Sequence, residues 1–577
     1  MLKRIRSGII ILLFSAVLFF SCTESDERAG NKGKDKEEGA YLTTVHLAGS
    51  IIAPGKPGKD LASAETVSTT IPGHKSSAVT PVFFTISENL SVFYGKMKPG
   101  EGQPPLSASG TLSFENEDYL VIRILKDKNS IQFYKVKILV DKTINPPITS
   151  LDIFQQKYMT YADKVYVTRI ATEGGVEIPG RTDAHYVNST INIESVISNW
   201  DVRIRGRGNS TWGMPKKPYR IRGNSRNDLF DRERVRNWAL IANYADKSLM
   251  RNYVSLLLGR SLESLEFTSN VIFTEVYFNG RYDGLYCLQD HQESGPSRVN
   301  VEGFLTDTQG NITDVGFMLE LDWLDRNPGA ISLESNRPNI EYFTVDGRHW
   351  FLKYPQYDDT GFDGNPDFHR QAVMWIKNYV TEAHSAIVNI NTGTTFNNLC
   401  NRASFIDFFI IDELSKDVDG SKLSVFINKK VGGKLNMGPI WDFDLALGNA
   451  DYMDYSPQNW WIVNNSAWEF LPWFRRLMRN DAFYEDFRTR YLELSVTNIQ
   501  YTIDSIDHIR DLIRPAALRN FDRWRILNSN YLWPNPPPVL QTHTFDGQVD
   551  YVKNFLTQRN AWITDQLQNR RPIPGVR

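Results

Sequence analysis

The carboxylates of this chain gather at two places where their spacing suggests chemistry. One is Lys416-Asp417-Val418-Asp419-Gly420-Ser421-Lys422-Leu423-Ser424, ahead of the apolar run Val425-Phe426-Ile427. The other is Pro439-Ile440-Trp441-Asp442-Phe443-Asp444-Leu445-Ala446-Leu447-Gly448. Paired carboxylates at strand ends are costly to bury without a cation. Mg2+ or Mn2+ held together with substrate phosphates meets that need with one or two carboxylates. A single such cluster reads equally well as Asp residues capping a turn or pairing with nearby Lys. Two clusters bracketing one hairpin, with Asp419 and Asp442 23 residues apart, point to the metal.

A third cluster is basic. Arg203-Ile204-Arg205-Gly206-Arg207-Gly208-Asn209-Ser210-Thr211-Trp212 is followed by Pro215-Lys216-Lys217-Pro218-Tyr219-Arg220-Ile221-Arg222. Two glycines let a backbone turn come close to a ligand, and the Arg and Lys side chains supply donors for phosphate oxygens. The GxxxxGK[ST] spacing of a Walker loop is absent, and a basic surface hairpin would have the same composition. His291, near the end of an expected strand, reads as structural or solvated and is assigned no role.

The elements that must position these groups follow from length and patterning. At 577 residues the chain exceeds one compact core, so two or three folded units are expected. Hydrophobic residues make up 41% and charged residues 23%, which is ordinary for a globular protein. The net charge of −2 gives no general attraction to nucleic acid or to an anionic membrane. The 14 Trp and 25 Tyr fit aromatic core packing, with carbohydrate handling as the alternative.

Lys3, Arg4 and Arg6 precede the apolar Ile9 to Phe20, a positive segment and a hydrophobic run too short for a comfortable membrane span. The run ends in Phe19-Phe20-Ser21-Cys22, which resembles a bacterial lipobox, with Phe where Leu is usual. Residues 1–22 are therefore expected to be a lipoprotein signal peptide with Cys22 lipidated; a plain signal peptide or membrane anchor is the alternative. The acidic Thr23 to Glu27 resembles surface-export signals of Bacteroidetes lipoproteins. These features predict a cell-envelope protein, lipid-anchored to the outer membrane and exposed on its periplasmic or outer face. Cys287 and Cys400 are left as buried thiols, and no CxxC pair suggests zinc.

Residues 23–40 read as a polar tether. Residues 41–145 carry short apolar or alternating runs between turn signals, such as Val82 to Ile86, Tyr119 to Ile124 and Phe133 to Val140, and predict an all-β, immunoglobulin-like sandwich acting as a spacer. Asn145-Pro146-Pro147 marks a boundary. Beyond it, strands are expected at Lys164–Ile170, Trp200–Arg205, Tyr219–Arg222, Val271–Phe278 and Gly284–Leu288. Helical spacing covers Lys247–Leu262, Phe368–Asn389, Arg402–Leu414, Trp468–Thr497, Ile499–Asn528 and Asp546–Leu567. A strand-rich first half and a helix-rich second half predict a two-lobed α+β domain.

The strings RGRGNSTW, PKKPYRIR, NWALIANYADKSLMRNYVSLLLGR, VYFNGRYDGLYCLQDH and GPIWDFDLALGN occur in this order. Together they resemble the CotH (spore-coat protein H) kinase family over residues 160–530, leaving 531–577 as a helical extension. The resemblance implies an atypical protein-kinase-like fold that binds ATP with Mg2+ or Mn2+ and phosphorylates Ser or Thr of a partner protein. It also implies roles in the manner of a protein kinase. Asp419 matches the residue that accepts the substrate hydroxyl proton. Ser424 stands five residues later, where many relatives carry Asn, a stronger metal ligand. Asp442 matches the metal-binding Asp, with Asp444 assisting. Lys217 is the expected phosphate-pairing lysine with Lys216 its competitor, and Arg205 and Arg207 add phosphate contacts. Tyr286 to Gln289 resembles the segment lining an adenine pocket, recognising it mainly through backbone groups. Trp441 and Phe443 are expected to pack the loop. Trp238, Asn243, Tyr244, Asp246 and Arg251 are expected to organise a helix against the sheet.

An exported protein meets little ATP, so a second class stays open: a non-enzymatic surface lipoprotein that binds a glycan, cell-wall polymer or partner protein through a degenerate kinase-like fold. A metal-dependent glycosyltransferase is disfavoured, because no sugar-nucleotide domain precedes the acidic motifs.

Overall fold

The computed structural model describes residues 40–576 apart from 48–49, 73–80, 86–89, 109–111, 128, 142–148, 160, 231, 392–394 and 465–470. Cys22 with its leader, the tether up to residue 39, the Asn145-Pro146-Pro147 boundary and Trp468 lie outside the described residues. The chain divides into two compact units, residues 1–149 and 150–577. Both expected boundaries at 160 and 530 fall inside the second.

Among the described residues of the first unit, seven strands form two sheets. They are β1 (Leu42–Leu47), β2 (Ser50–Ile52), β3 (Thr66–Pro72), β4 (Val82–Thr85), β5 (Ser91–Met97), β6 (Tyr119–Leu125) and β7 (Ile131–Asp141). The sheet orders are β2-β1-β4 and β3-β7-β6-β5, with β3 parallel to β7. Period-two alternation turns Leu120, Ile122 and Ile124 to one face, where with Val45, Val136 and Ile138 they are fully buried. The Tyr134 hydroxyl ties the sheets together by accepting the amides of Tyr41 (3.0 Å) and Leu42 (3.1 Å).

The second unit is a mixed α+β assembly. Its first part is a closed barrel of β8 (Tyr166–Thr172), β9 (Val187–Ile193), β10 (Ile197–Gly206), β11 (Tyr219–Leu229), β12 (Arg232–Ile241), β13 (Val271–Phe278) and β14 (Arg281–Asp290), in the order β10-β11-β12-β14-β13-β8-β9. Trp200, Val202, Ile204, Ile221, Trp238 and Leu240 belong to the barrel's own buried core. The same alternation gives Arg203, Arg205, Arg220 and Arg222 to the outer face. Closure removes the exposed edges that an open sheet would leave. Period two is thus the reason that the IRIRG and RIR strings are half core and half site.

Seven further strands follow: β15 (Phe304–Thr306), β16 (Ile312–Val315), β17 (Phe317–Leu321), β18 (Tyr342–Val345), β19 (Arg348–Tyr354), β20 (Val425–Lys429) and β21 (Asn436–Met437). β15 and β16 pair alone, and the other five make an antiparallel sheet ordered β18-β19-β17-β20-β21. The helices are α1 (Ser150–Tyr158), α2 (Arg251–Arg260), α3 (Pro366–Val388), α4 (Phe396–Leu399), α5 (Arg402–Ser415), α6 (Trp473–Leu477), α7 (Asp481–Ser495), α8 (Asn498–Arg523), α9 (Pro537–Leu540) and α10 (Phe545–Gln568). The Trp468–Thr497 expectation is corrected to two helices, because Asn480 caps α7 by accepting the Phe483 amide (3.0 Å). The Lys247–Leu262 helix starts only at Arg251. Ahead of it, the Asp246 carboxylate takes the amides of Ser248 (3.0 Å) and Arg251 (2.9 Å), and Leu249 is left-handed at φ 62°.

Candidate active site

The acidic loops are positioned by what precedes them. Helix α5 is apolar on nearly every face and wholly buried from Ser404 to Ser415. Lys416 ends it in the left-handed conformation, at φ 48°. The chain then turns tightly: the Asp419 carbonyl accepts the amides of Lys422 (2.9 Å) and Leu423 (3.0 Å), and the Asp417 carboxylate faces the Asp419 amide (3.3 Å). Ser424 is left-handed too, at φ 53°, just before β20. After β21 the chain reaches Asp442, at φ 71°. The Phe443 amide there donates to Asn252 Oδ1 of α2 (2.8 Å), and Asn449 Nδ2 donates to the Asp444 carbonyl (2.8 Å). Asn243, Ser424 and Asp442 all line one cavity with positive φ. Such strain is retained where surrounding structure over-determines it, commonly at functional sites.

That cavity, about 460 Å³, brings the acidic loops opposite the basic hairpin. Asp417, Asp419, Ser424, Asp442 and Asp444 line one side, and Arg205, Arg207, Lys216 and Arg220 another. Burial raises the pKa of all four aspartates, Asp417 and Asp444 well above the ordinary carboxylate value. Neighbouring carboxylates push the same way, Asp412 and Asp419 on Asp417, and Asp442 and Asp246 on Asp444. Arg207 opposes the rise at Asp442 and Asp444, and Lys422 opposes it at Asp419. Carboxylates held this way seek either protons or a cation. Among the described residues, no three His, Cys, Asp or Glu side chains converge on one metal position. The donor set is hard and oxygen-rich, suited to a cation that keeps waters and shares its shell with phosphate oxygens.

On the basic side, Gly206 and Gly208 shape the turn. A Cβ on Gly206 would run into the Trp212 ring, and Gly208 is left-handed (φ 80°) with Thr211 Oγ1 where its Cβ would stand. Arg205 is tied down by Asp183 (3.0 Å) and by the carbonyls of Arg181 (2.5 Å) and Gly206 (2.9 Å). Arg207 lies over the Trp441 ring at 5.1 Å, and neither it nor Arg220 has an ion-pair partner among the described residues. These two guanidiniums bring positive charge to the cavity that no carboxylate pairs with among the described residues. Trp441 accordingly forms part of the lining, while Phe443 is fully buried as expected.

The lysines are corrected. Lys217 is not in the cavity lining; its ammonium donates to the Trp212 carbonyl (2.6 Å) and sits over the Trp212 ring. Lys216 lines the cavity, but its ammonium is spent on the carbonyls of Ala242 (2.7 Å) and Leu285 (2.5 Å) and on Asn520 Oδ1 (2.9 Å). Both lysines lie in the irregular segment just before β11, where each ammonium is taken up by carbonyls of a different part of the chain. Gln289 is also corrected. It is 1% exposed and outside the lining, on a strand paired on both edges, with Ala239 of β12 and Val271 of β13. From Cys287 to Gln289 the strand is paired on both edges within the closed barrel, and Tyr286 pairs with Thr274 of β13.

The Asn243 to Arg251 motif does organise α2: Asp246 and Arg251 form a fully buried ion pair at its start. Several lining residues escaped the sequence reading. His291 faces Arg205, Arg207, Arg220 and Lys353, and those charges together with burial hold it neutral, well below its ordinary pKa. Glu320 lies in β17, Asp322 and Arg326 follow it, and Trp533 comes from the segment before α9. Only the charge-rich string Glu320-Leu321-Asp322-Trp323-Leu324-Asp325-Arg326 carried any signal of this.

Compared with known proteins, residues 202–563 match the family model described as CotH kinase protein. No curated protein matches the chain.

Proposed function

Because the chain belongs to the CotH kinase family, we propose that it transfers the γ-phosphate of ATP to a Ser or Thr hydroxyl of a secreted or surface protein. The observation that carries this reading is the cavity itself, where Arg207, unpaired, faces Asp442 and Asp444. In this reading the barrel and the helical part are the two lobes of a kinase-like domain. The two-sheet unit before them is an immunoglobulin-like spacer.

Arg207 and Arg220 take the phosphate oxygens through charge-assisted hydrogen bonds, with Arg205 holding the turn that aims Arg207. Asp442 and Asp444, helped by Ser424, hold Mg2+ or Mn2+. The metal, when bound, neutralises charge on the phosphates. Asp419 accepts the acceptor's hydroxyl proton, and its raised pKa makes it a better base near neutral pH. Cys22 carries a diacylglycerol anchor in the outer membrane, so the domain works in the cell envelope. Loss of palmitate labelling in Cys22→Ser, with the protein still made, supports the anchor; retained labelling refutes it.

The activity is tested by incubating the purified chain with labelled ATP and Mn2+ or Mg2+. Label should pass to the chain or an added protein and vanish in Asp419→Ala and Asp442→Ala. Asp419→Ala should keep nucleotide binding, seen as a thermal shift, while Asp442→Ala loses it. Equal labelling of wild type and variants, or no nucleotide-dependent shift in wild type, overturns the reading.

A further inference from the structure

Arg326 stands out in the cavity. It ends the short turn Leu324–Arg326 that follows β17, away from both acidic motifs in sequence. Of the cations that act most strongly on the two central aspartates, Lys422 and Arg326 act on Asp419, and Arg207 and Arg326 act on Asp442. Only Arg326 is common to both. Its nearest carboxylate, Asp322, is 3.5 Å away, and its guanidinium lies over the Trp323 ring at 5.0 Å. The side chain is 26% exposed and lines the cavity. Its guanidinium donates no hydrogen bond within the described residues. Stacking of this kind fixes the plane of an arginine and leaves its N–H fork available.

We propose that Arg326 is a catalytic residue, donating to the phosphoryl group while it passes between the Asp442 side and the Asp419 side of the cavity. This rests on the phosphotransferase reading above. In the transfer, the acceptor hydroxyl loses its proton to Asp419, and its oxygen forms the new bond to the γ-phosphorus. The bond from that phosphorus to the β,γ-bridging oxygen breaks, and its electron pair leaves with ADP. Charge spreads over the phosphoryl oxygens during the passage, and a cation reaching both ends of the path stabilises it. Arg207, over Trp441, serves the bound nucleotide; Arg326 serves the passage.

The test uses the full chain, Mn2+·ADP, and aluminium fluoride as a mimic of the phosphoryl group in transit. Wild type should bind Mn2+·ADP and gain affinity when aluminium fluoride is added. Arg326→Gln should bind Mn2+·ADP within about threefold of wild type, lose most of the fluoride gain, and label at least roughly 100-fold more slowly. Arg326→Lys, keeping charge without the fork, should recover part of the gain. If Arg326→Gln keeps the full gain and rate, the assignment of Arg326 is overturned alone. If wild type binds no Mn2+·ADP, the phosphotransferase reading falls and the inference falls with it.

Discussion

Glu413 and Arg559, 146 residues apart in sequence, form an ion pair at 2.6 Å with the two side chains 1% and 0% exposed. The pair is fully networked. Arg559 also donates to the carbonyls of Glu413 (2.8 Å) and Asn459 (2.5 Å), and the Glu413 carboxylate accepts the amides of Trp461 (2.5 Å) and Ile462 (2.8 Å). Trp461 Nε1 in turn donates to the Asp417 carbonyl (2.7 Å), and Lys416 holds Asp454 and the carbonyls of Ser456 and Gln458. Helix α10, expected from sequence to be an extension, therefore anchors the segment that braces the Asp417–Asp419 loop.

Breaking one half of that pair leaves a buried charge alone. Arg559→Met should lower unfolding free energy by about 3–5 kcal/mol, read from urea denaturation. Adding Glu413→Gln should return part of it, because the uncompensated carboxylate is gone. A double variant as unstable as the sum of the singles would show that the two residues do not act as a pair.

The basic turn depends on backbone conformation more than on its charges. Gly208→Ala places a side chain at φ 80° and against Thr211 Oγ1, at a cost of about 1–3 kcal/mol. It should also weaken Mn2+·ADP binding, because Gly208 lines the cavity. Gly213→Ala, five residues after Gly208 and with nothing within 4 Å of the added Cβ, is the control and should change neither. Equal tolerance of both substitutions would contradict this account.

Where sequence spoke clearly, it did so through periodicity and short loops. The run Val271–Phe278 is a strand with the bounds expected of it, because β-branched and aromatic residues fill it and Asn279-Gly280 turns it. Asp419, Asp442, Asp444 and Ser424 meet in one cavity because a single hairpin, β20 to β21, joins their loops. The lysine choice was not legible. Adjacent Lys216 and Lys217 sit in the bend before β11, and which ammonium turns to Ala242, Leu285 and Asn520 is set by tertiary packing. Nor was closure of the barrel, which depends on β8 pairing in parallel with β13 more than 100 residues away. Arg326 and His291 were hidden for the same reason: what they face is tertiary.

Ser424 offers a second kind of test, since its φ of 53° favours Asn over most side chains. Ser424→Asn should fold as stably as wild type and bind Mn2+·ADP more tightly, an amide oxygen replacing a hydroxyl near Asp442. Ser424→Val, branched at Cβ in a left-handed position, should cost about 1–3 kcal/mol. Weaker nucleotide binding in the Asn variant, measured by calorimetry, would remove Ser424 from the proposed metal site.

Lys216 makes a prediction in pH. Burial pushes its ammonium down to about 7, although three acceptors and the Tyr286 ring, 4.3 Å from its Nζ, favour the charged form. The unfolded chain holds the proton up to the ordinary lysine value of 10.5. Between those values the unfolded state binds more protons than the folded one, so stability rises with pH. Below about 7 both states are protonated, and the cost of burying the charge is fully present. Lys216→Met removes the titration, so the stability of wild type relative to this variant should climb between pH 7.5 and 9, by at most about 1.4 kcal/mol per pH unit. Urea unfolding of both proteins across that range measures the difference. Parallel pH curves would mean that the three acceptors keep Lys216 charged, making the ammonium a fixed cation of the cavity wall.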